Sequence, residues 1–260
     1  MSLIRAFITQ QQRCSTAFDR LLPASFQVDG NRDFIDSFVP EFLKPGMTVY
    51  DVGGGKSPFV TVEDKTRRGL RVIGLDIDAA ELARAPHGAY DDTVCADICT
   101  YVGAQDADVV ICQALLEHVP DVERALRSLA SIAKPGGHVL VFVPSRRAIF
   151  ARLNLVLPER LKRGVLFTIW PDASAKQGFP AFYDRCTPRD FRKLTRHFGL
   201  VIRSERHYFS SCYFKFCFPL HLLWRLWMAV FYLARGNEAA ETFVVAIRRP
   251  LGTAREGAGL

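Results

Sequence analysis

A carboxylate followed by three glycines marks the part of this chain that could bind a ligand through its backbone. Residues 47–57 read MTVYDVGGGKS, so a β-branched and aromatic run leads into Asp51 and then the glycines 53–55. Such a run is typical of a buried parallel strand, and glycines after it let the backbone pass close to a ligand where a Cβ would collide. We expect a helix directly after this turn, with Ser57 as N-cap and Pro58 in the first turn, offering free N–H groups to the ligand.

Two phosphate-binding patterns fit this segment incompletely. A P-loop requires a glycine five residues before Gly55, where the chain has Tyr50, and a dinucleotide fingerprint requires a third glycine where it has Pro58. The pattern that fits is Asp-x-Gly-x-Gly over 51–55. It resembles motif I of class I S-adenosylmethionine-dependent methyltransferases, which often carry one more glycine where this chain has Ser57.

Acidic residues end the next two predicted strands. Asp76 closes a strand over 70–77, and an acid at this distance from the glycines can accept hydrogen bonds from both hydroxyls of a ribose. Asp97 closes a short strand over 93–98, and the resemblance implies that it accepts from the adenine amino group while Ile98 lies against the ring. Ligands of open α/β sheets bind at the carboxyl ends of the strands, so we expect these acids and Asp51 to converge.

The resemblance continues in family order through predicted strands at 108–113 and 134–144, and it is to the small-molecule, methyltransferase-11-like type. It implies an α/β Rossmann-like fold with a seven-stranded, mostly parallel sheet, an antiparallel last strand and helical lid insertions. The implied cofactor is S-adenosyl-L-methionine, with S-adenosyl-L-homocysteine as product. The cofactor-binding residues that it implies are Asp51, Gly53, Gly54, Gly55, Ser57, Asp76, Ile77, Asp97, Ile98, Gln113 and Ala114.

His118 is the candidate general base, because histidine titrates near neutral pH and it follows the fourth strand. Glu117-His118 also resembles the Glu-His of quinone-pathway O-methyltransferases, some of which bind a divalent metal through Glu-x-x-Glu-His. Ala114 replaces the first glutamate here, so we predict no metal site. A structural role for His118, capping the next helix, is the alternative. The candidate substrate contacts are Tyr183, Arg185, Trp170 and Tyr208.

The composition fits a protein with a large core, since 49% of the 260 residues are hydrophobic. Seven cysteines lack the paired spacing of a zinc site, and no secretion signal is visible, so we expect reduced thiols in a cytoplasmic protein, with Cys95 and Cys112 in core strands. The net charge of +7 suggests nucleic acid as a partner. The apolar insertions and the absence of a base-methylation motif at 113–116 argue against that partner.

The expected layout is a helical cap over 1–45, a methyltransferase domain over 46–250 with insertions at 145–186 and 210–238, and a loose tail over 251–260. The stretch 212–235 is apolar but interrupted by charges, which argues against a transmembrane span. Its helical spacing places Trp224, Trp227, Met228 and Phe231 on one face, with Arg225 off its centre. This face either enters a membrane surface or packs as ordinary core.

We therefore expect a methyltransferase that acts on an oxygen of a small or lipid-linked acceptor, with peripheral membrane contact through 212–235 and assembly as a homodimer. A sugar O-methyltransferase of a polysaccharide or natural-product pathway is an alternative. A non-catalytic, cofactor-binding subunit that anchors a partner to membranes is an alternative from another class. The identity of the acceptor is not written in the sequence.

Overall fold

The computed structural model describes residues 3–157 and 180–251, and the candidate residue Trp170 lies outside them. Seven strands form one sheet in the order β3-β2-β1-β4-β5-β7-β6. The strands are β1 (Thr48–Val52), β2 (Arg71–Asp76), β3 (Asp92–Cys95), β4 (Ala107–Gln113), β5 (Ala133–Pro144), β6 (Val201–Tyr208) and β7 (Thr242–Arg248). Strands β1 to β5 pair in parallel, and β7 runs antiparallel to both β5 and β6. The predicted mostly parallel sheet with an antiparallel last strand is confirmed.

Helices cover both faces of this sheet. Their bounds are α1 (Leu3–Asp19), α2 (Gly30–Asp33), α3 (Val62–Arg68), α4 (Ala79–Ala83), α5 (Val122–Ile132), α6 (Ile149–Val156), α7 (Pro188–His197) and α8 (Phe218–Arg235). A short 3-10 helix over Leu116–His118 follows β4. Side-chain caps fix several helix starts, among them Asp78 before α4 and Asp121 before α5, each accepting from backbone N–H groups of the first turn.

The core forms two layers because alternate residues of each strand face opposite sides of the sheet. Tyr50 and Val52 of β1 pack with the apolar face of α5, whereas Val49 packs on the other side. That second layer contains Phe34 and Phe38, which are fully buried. The N-terminal region expected to act as a cap thus contributes part of the core.

The helix expected directly after the glycines begins later than predicted. Helix α3 starts at Val62 and its N-cap is Thr61, whose hydroxyl accepts from the backbone N–H of Asp64 at 3.1 Å. Ser57 instead donates its backbone N–H to the carbonyl of Gly54 within a turn. The cause is the Asp51 carboxylate, which accepts from the Phe59 N–H at 2.7 Å and holds residues 54–60 as a non-helical loop.

Of the two cysteines expected in core strands, Cys112 on β4 is buried but Cys95 is exposed. Strand β3 is an edge strand of only four residues, 92–95, and no neighbouring strand covers its outer side. The strand expected over 93–98 is correspondingly shorter. Edge position, which the sequence pattern does not show, accounts for the difference.

Helix α8 lies against α1 with its polar residues inward. His221 Nε2 and Arg225 Nε lie 2.7 and 2.8 Å from Asp19 Oδ1 of α1, and all three side chains are buried. Trp224 and Met228 are buried beside them, whereas Trp227 is exposed. The prediction that Trp224, Trp227 and Met228 share one face is therefore wrong: Trp224 and Met228 pack as ordinary core, which was one of the two alternatives, whereas Trp227 lies outside it.

Burial alone would raise the pKa of Asp19, but hydrogen bonds from His221 and Lys215 and the charge of Arg225 hold it at about 2. The stabilisation from the ionised form is therefore complete above about pH 4 and lost as the pH falls towards 2. None of the described helices, α8 included, is long and apolar enough to cross a bilayer.

Asp19→Asn should lower the free energy of unfolding at pH 7 by about 3–5 kcal/mol, because Arg225 would remain buried without its counter-charge. Urea denaturation followed by circular dichroism measures this loss. Asp36→Asn is the matched control, since its ion pair with Arg32 is exposed and should contribute less than about 1 kcal/mol. Equal losses in the two variants would contradict the assigned role of Asp19.

Candidate functional site

The carboxyl ends of β1 to β4 meet at one edge of the sheet, and the glycine loop crosses this edge. Gly53 and Gly55 have φ angles of +80° and +49°, which L side chains rarely adopt. A Cβ on Gly55 would lie 3.2 Å from Asp76 Oδ2, and a Cβ on Gly53 would lie 3.0 Å from the Leu115 side chain. The bare backbone therefore passes between Asp76 and Leu115, and only glycine leaves that space open.

Asp51 supports the loop from below. Its Oδ2 accepts from the Phe59 N–H at 2.7 Å and from the Tyr90 hydroxyl at 3.2 Å, and a Cβ on Gly54 would collide with the carboxylate. Burial raises the pKa of Asp51 to about 6, against the effect of the two donors. Asp51 therefore holds the loop from the core side and does not lie on the side of the loop that is open to a ligand.

Asp76 ends β2 with its carboxylate beside Gly55. Its Oδ1 accepts from the Asp78 N–H at 2.9 Å, while Oδ2 faces the glycine loop. The next residue, Ile77, is 59% exposed, so an apolar side chain flanks the carboxylate. A carboxylate next to open backbone and an exposed apolar group is an arrangement that suits a ribose with its attached base.

The other two predicted base contacts lie differently. Asp97 is exposed and its Oδ1 accepts from the Cys99 N–H at 2.8 Å, which caps its own turn. Ile98 is buried in the core layer with α5. Only Asp97 of this pair is placed where it can meet a ligand directly.

Three more residues complete the rim. Gln113 at the end of β4 donates from Nε2 to Asn31 Oδ1 at 2.7 Å, so α2 reaches the carboxyl edge. Ala114 has a φ of +49°, an uncommon angle for a non-glycine residue. Ser57 is exposed, and its neighbour Lys56 pairs with Glu81 at 3.2 Å at the surface.

Glu117 is a buried carboxyl group below the end of β4. It is 4% exposed, and among the described residues no donor or acceptor pairs with its Oε2. Burial raises the pKa of Glu117 to about 8, so the side chain is mainly neutral at pH 7. The sequence places a glutamate beside His118 but does not show that it is buried.

His118, the residue after Glu117, is partly exposed. Its Nδ1 is 3.0 Å from the Pro180 carbonyl oxygen, which can only accept, so Nδ1 carries the proton in the neutral ring. The unshared electron pair is then on Nε2, which lies 3.9 Å from Glu117 Oε1, beyond hydrogen-bonding distance. The geometry leaves Nε2 able to take a proton from a bound hydroxyl.

The candidate substrate contacts are dispersed. Tyr183 is buried with a φ of +50°; burial raises its pKa, against a hydrogen bond with Asn154 of α6. Arg185 points to the surface and pairs with Glu123. Tyr208 donates its hydroxyl to Asp33 Oδ2 at 2.5 Å and is covered by the N-terminal segment, so it lies away from open space.

Several site residues escaped the sequence analysis. Asn31 and Asn154 come from the segments before and after the predicted strands, and no spacing signal connects them to the glycines. Tyr90, which fixes Asp51, also lacks a motif. Within residues 3–157 and 180–251, no three His, Cys, Asp or Glu side chains come together as they would around a metal ion.

Comparison with known proteins gives a consistent result. The family model described as "Methyltransferase domain" matches residues 24–205. The ubiquinone biosynthesis O-methyltransferase of Pectobacterium atrosepticum is 37% identical over 110 residues, which cover 40% of this chain and 45% of the relative. The aligned part thus spans less than half of that relative.

Two solved structures show the same fold. A methyltransferase from Mesorhizobium loti, named as S-adenosylmethionine dependent, superposes with a TM-score of 0.54 at 20% identity, over 86% of this chain and all of that one. Phosphoethanolamine N-methyltransferase 2 of Haemonchus contortus, in complex with S-adenosyl-L-methionine, gives 0.52 at 16% identity, over 96% of this chain and 60% of that one. At these identities the likeness concerns the fold alone.

Glu117→Gln should flatten the pH dependence of stability between pH 4.5 and 8. The folded protein keeps Glu117 protonated over this range while the unfolded chain ionises, so the wild type loses stability as the pH rises. At about 1.4 kcal/mol for each pKa unit, the rise from 4.5 to about 8 makes the loss that the variant avoids on the order of 5 kcal/mol as an upper limit. Urea denaturation at pH 5 and pH 8.5 measures it. Parallel curves for wild type and variant would contradict the burial of an unpaired carboxyl here.

Proposed function

The chain belongs to the methyltransferase domain family, and we propose that it transfers a methyl group from S-adenosyl-L-methionine to an oxygen atom of a small-molecule acceptor. One observation carries the cofactor assignment: the Asp76 carboxylate faces a side-chain-free glycine loop at the carboxyl edge of the sheet. The acceptor assignment is supported by relatives that are named ubiquinone biosynthesis O-methyltransferases.

The residues present fit the cofactor. Asp76 would accept from the ribose hydroxyls, Ile77 would lie against the base, and Asp97 would accept from the adenine amino group. The backbone of Gly53 to Gly55 would pass beside the amino acid part, with Gln113 and Ala114 closing the other side of the crevice. When bound, the cofactor supplies an activated methyl group on a sulfonium. Asp51 and Ile98 would act indirectly, because Asp51 fixes the glycine loop and Ile98 packs in the core beneath the crevice.

His118 would then act as the general base. An acceptor hydroxyl must lose its proton as the oxygen attacks, and Nε2 of His118 is the atom that can receive it. The Pro180 carbonyl fixes the ring and the tautomer. Glu117, mainly neutral at pH 7, would add little charge beside His118, which favours a neutral acceptor over an ion at this position.

Aromatic groups lie on the segments that we assign to the acceptor side. Phe182 is exposed and donates its backbone N–H to the carbonyl of Glu117, and Phe150 of α6 stacks on Tyr213 with ring centroids 4.5 Å apart. These groups favour an aromatic or lipid-linked acceptor, met at a membrane surface, over a sugar. Tyr183 would position the acceptor through Asn154, whereas Arg185 and Tyr208 are engaged elsewhere. Assembly as a homodimer stays a prediction.

Asp76→Ala should weaken binding of S-adenosyl-L-methionine by roughly 2–3 kcal/mol, about 30- to 150-fold in Kd, because two ribose hydroxyls lose their acceptor. Isothermal titration calorimetry measures the change. Asp92→Ala is the control, since Asp92 is an exposed carboxylate that begins β3 at the opposite edge of the sheet, away from the glycine loop. Wild-type affinity in Asp76→Ala, or binding of NAD in place of this cofactor, would refute the assignment.

His118→Gln should lower kcat by about a hundredfold or more while leaving the Kd of the cofactor unchanged. The glutamine amide can still donate to the Pro180 carbonyl, so a purely structural role would be largely preserved. Turnover is followed as release of S-adenosyl-L-homocysteine with catechol-type test acceptors, with and without chelator. An unchanged kcat would show that His118 has only a structural role. Loss of activity with chelator would show dependence on a metal ion, for which the described residues form no site.

A further inference from the structure

Helix α8 has an outer face that is wholly apolar. Its inward face buries His221 and Arg225, so the opposite side carries leucine, valine and tryptophan at spacings of three and four residues. We call this set the outer face of α8, and its members are Leu223, Leu226, Trp227, Val230 and Leu233. Leu233 is 85% exposed and Leu226 is 63% exposed. A helix that buries His221 and Arg225 and exposes its leucines presents an unusual surface for contact with water alone.

Helix α6 extends this apolar surface. Its residues Leu153 and Val156 are exposed, and Ile149 packs into the small core beneath α8. Between the two helices lies a cavity of about 190 Å³, lined by Arg147, Arg152, Phe231 and Arg235. Guanidinium groups therefore stand directly beside exposed apolar side chains.

The exposed charges of helices α1, α6 and α8 are all positive. Helices α1, α6 and α8 together contain a single carboxylate, Asp19, which is buried and paired with Arg225 and His221. In the described part of the chain, Arg152 and Arg235 have no acidic partner, whereas Arg147 pairs with Glu238. Exposed apolar side chains next to unpaired cations are complementary to a surface that has anionic groups on its outside and an apolar layer beneath them.

We propose that the outer face of α8, together with α6, binds the surface of an anionic phospholipid bilayer, with Arg152 and Arg235 on lipid phosphates. The apolar side chains would enter the boundary between headgroups and acyl chains, as amphipathic interfacial helices do. This goes beyond methyl transfer, and of the four residues that the sequence analysis placed on one face only Trp227 belongs to the outer face of α8. A second copy fits less well, because no exposed carboxylate on these helices could pair with the arginines across a two-fold axis.

Flotation on vesicles of phosphatidylcholine and phosphatidylglycerol at 3:1 tests the apolar part. The wild-type protein should float with them, and Val230→Gln/Leu233→Gln should bind at least about tenfold more weakly. Val102→Gln/Val201→Gln is the matched control, because these valines are also exposed but lie in the loop before β4 and on the edge strand β6. The control should float like the wild type.

Arg152→Gln/Arg235→Gln tests the charged part. It should weaken binding to the 3:1 vesicles by about fivefold for each arginine and leave the weak binding to pure phosphatidylcholine unchanged. Calorimetry with S-adenosyl-L-methionine should give wild-type affinity in all variants, which separates this proposal from the catalytic one and shows that the variants are folded. A wild type that does not float, or floats equally on pure phosphatidylcholine, overturns the proposal. So does a dimer in analytical ultracentrifugation that Val230→Gln/Leu233→Gln dissociates.

Discussion

The geometry of the cofactor crevice depends on one buried carboxylate, Asp51. It joins three parts of the chain, because β1 carries it, Phe59 gives it a backbone donor and Tyr90 gives it a hydroxyl. These bonds draw the loop after Gly54 back over the strand, delay the start of α3 and set the glycines beside Asp76. The cost is a carboxylate in the core whose pKa burial raises to about 6, and the stabilised loop offsets that cost.

Three buried acids of this molecule titrate differently, and the difference lies in their partners. Asp19 meets Arg225, His221 and Lys215, and its pKa is held at about 2. Glu117 and Glu241 are as deeply buried, and desolvation raises the pKa of Glu117 to about 8 and that of Glu241 to about 7. A paired acid ties α1 to α8 as a charged group, whereas burial with weak partners favours the protonated form of Glu117 and Glu241.

The proposed cofactor crevice and the proposed bilayer-binding face both lie on elements that leave the same edge of the sheet. Strand β5 runs into α6, and β6 leads by way of Tyr213 to α8, so both insertions emerge beside the crevice at the carboxyl ends of parallel strands. Tyr183 and Asn154 connect α6 to the segment after β4 that carries His118.

Local pattern was enough to predict the individual strands, the glycine loop and the strand-end position of Asp76, because strand periodicity, glycine freedom and strand-end placement act over a few residues. The arrangement of the strands in one mostly parallel sheet came from the resemblance to a known family. Pattern could not orient α8, since nearly every position there is apolar and two polar residues alone do not choose a side. Asp19, about two hundred residues away, made that choice by pairing with Arg225 and His221. Likewise the burial of Glu117, the exposure of Cys95 on an edge strand and the late start of α3 depend on the packing of the elements and on the hydrogen bond of Asp51, which pattern does not show. The sequence by itself determined which residues can do chemistry; the tertiary structure decided which of them face the crevice, because only packing selects the buried side of each element.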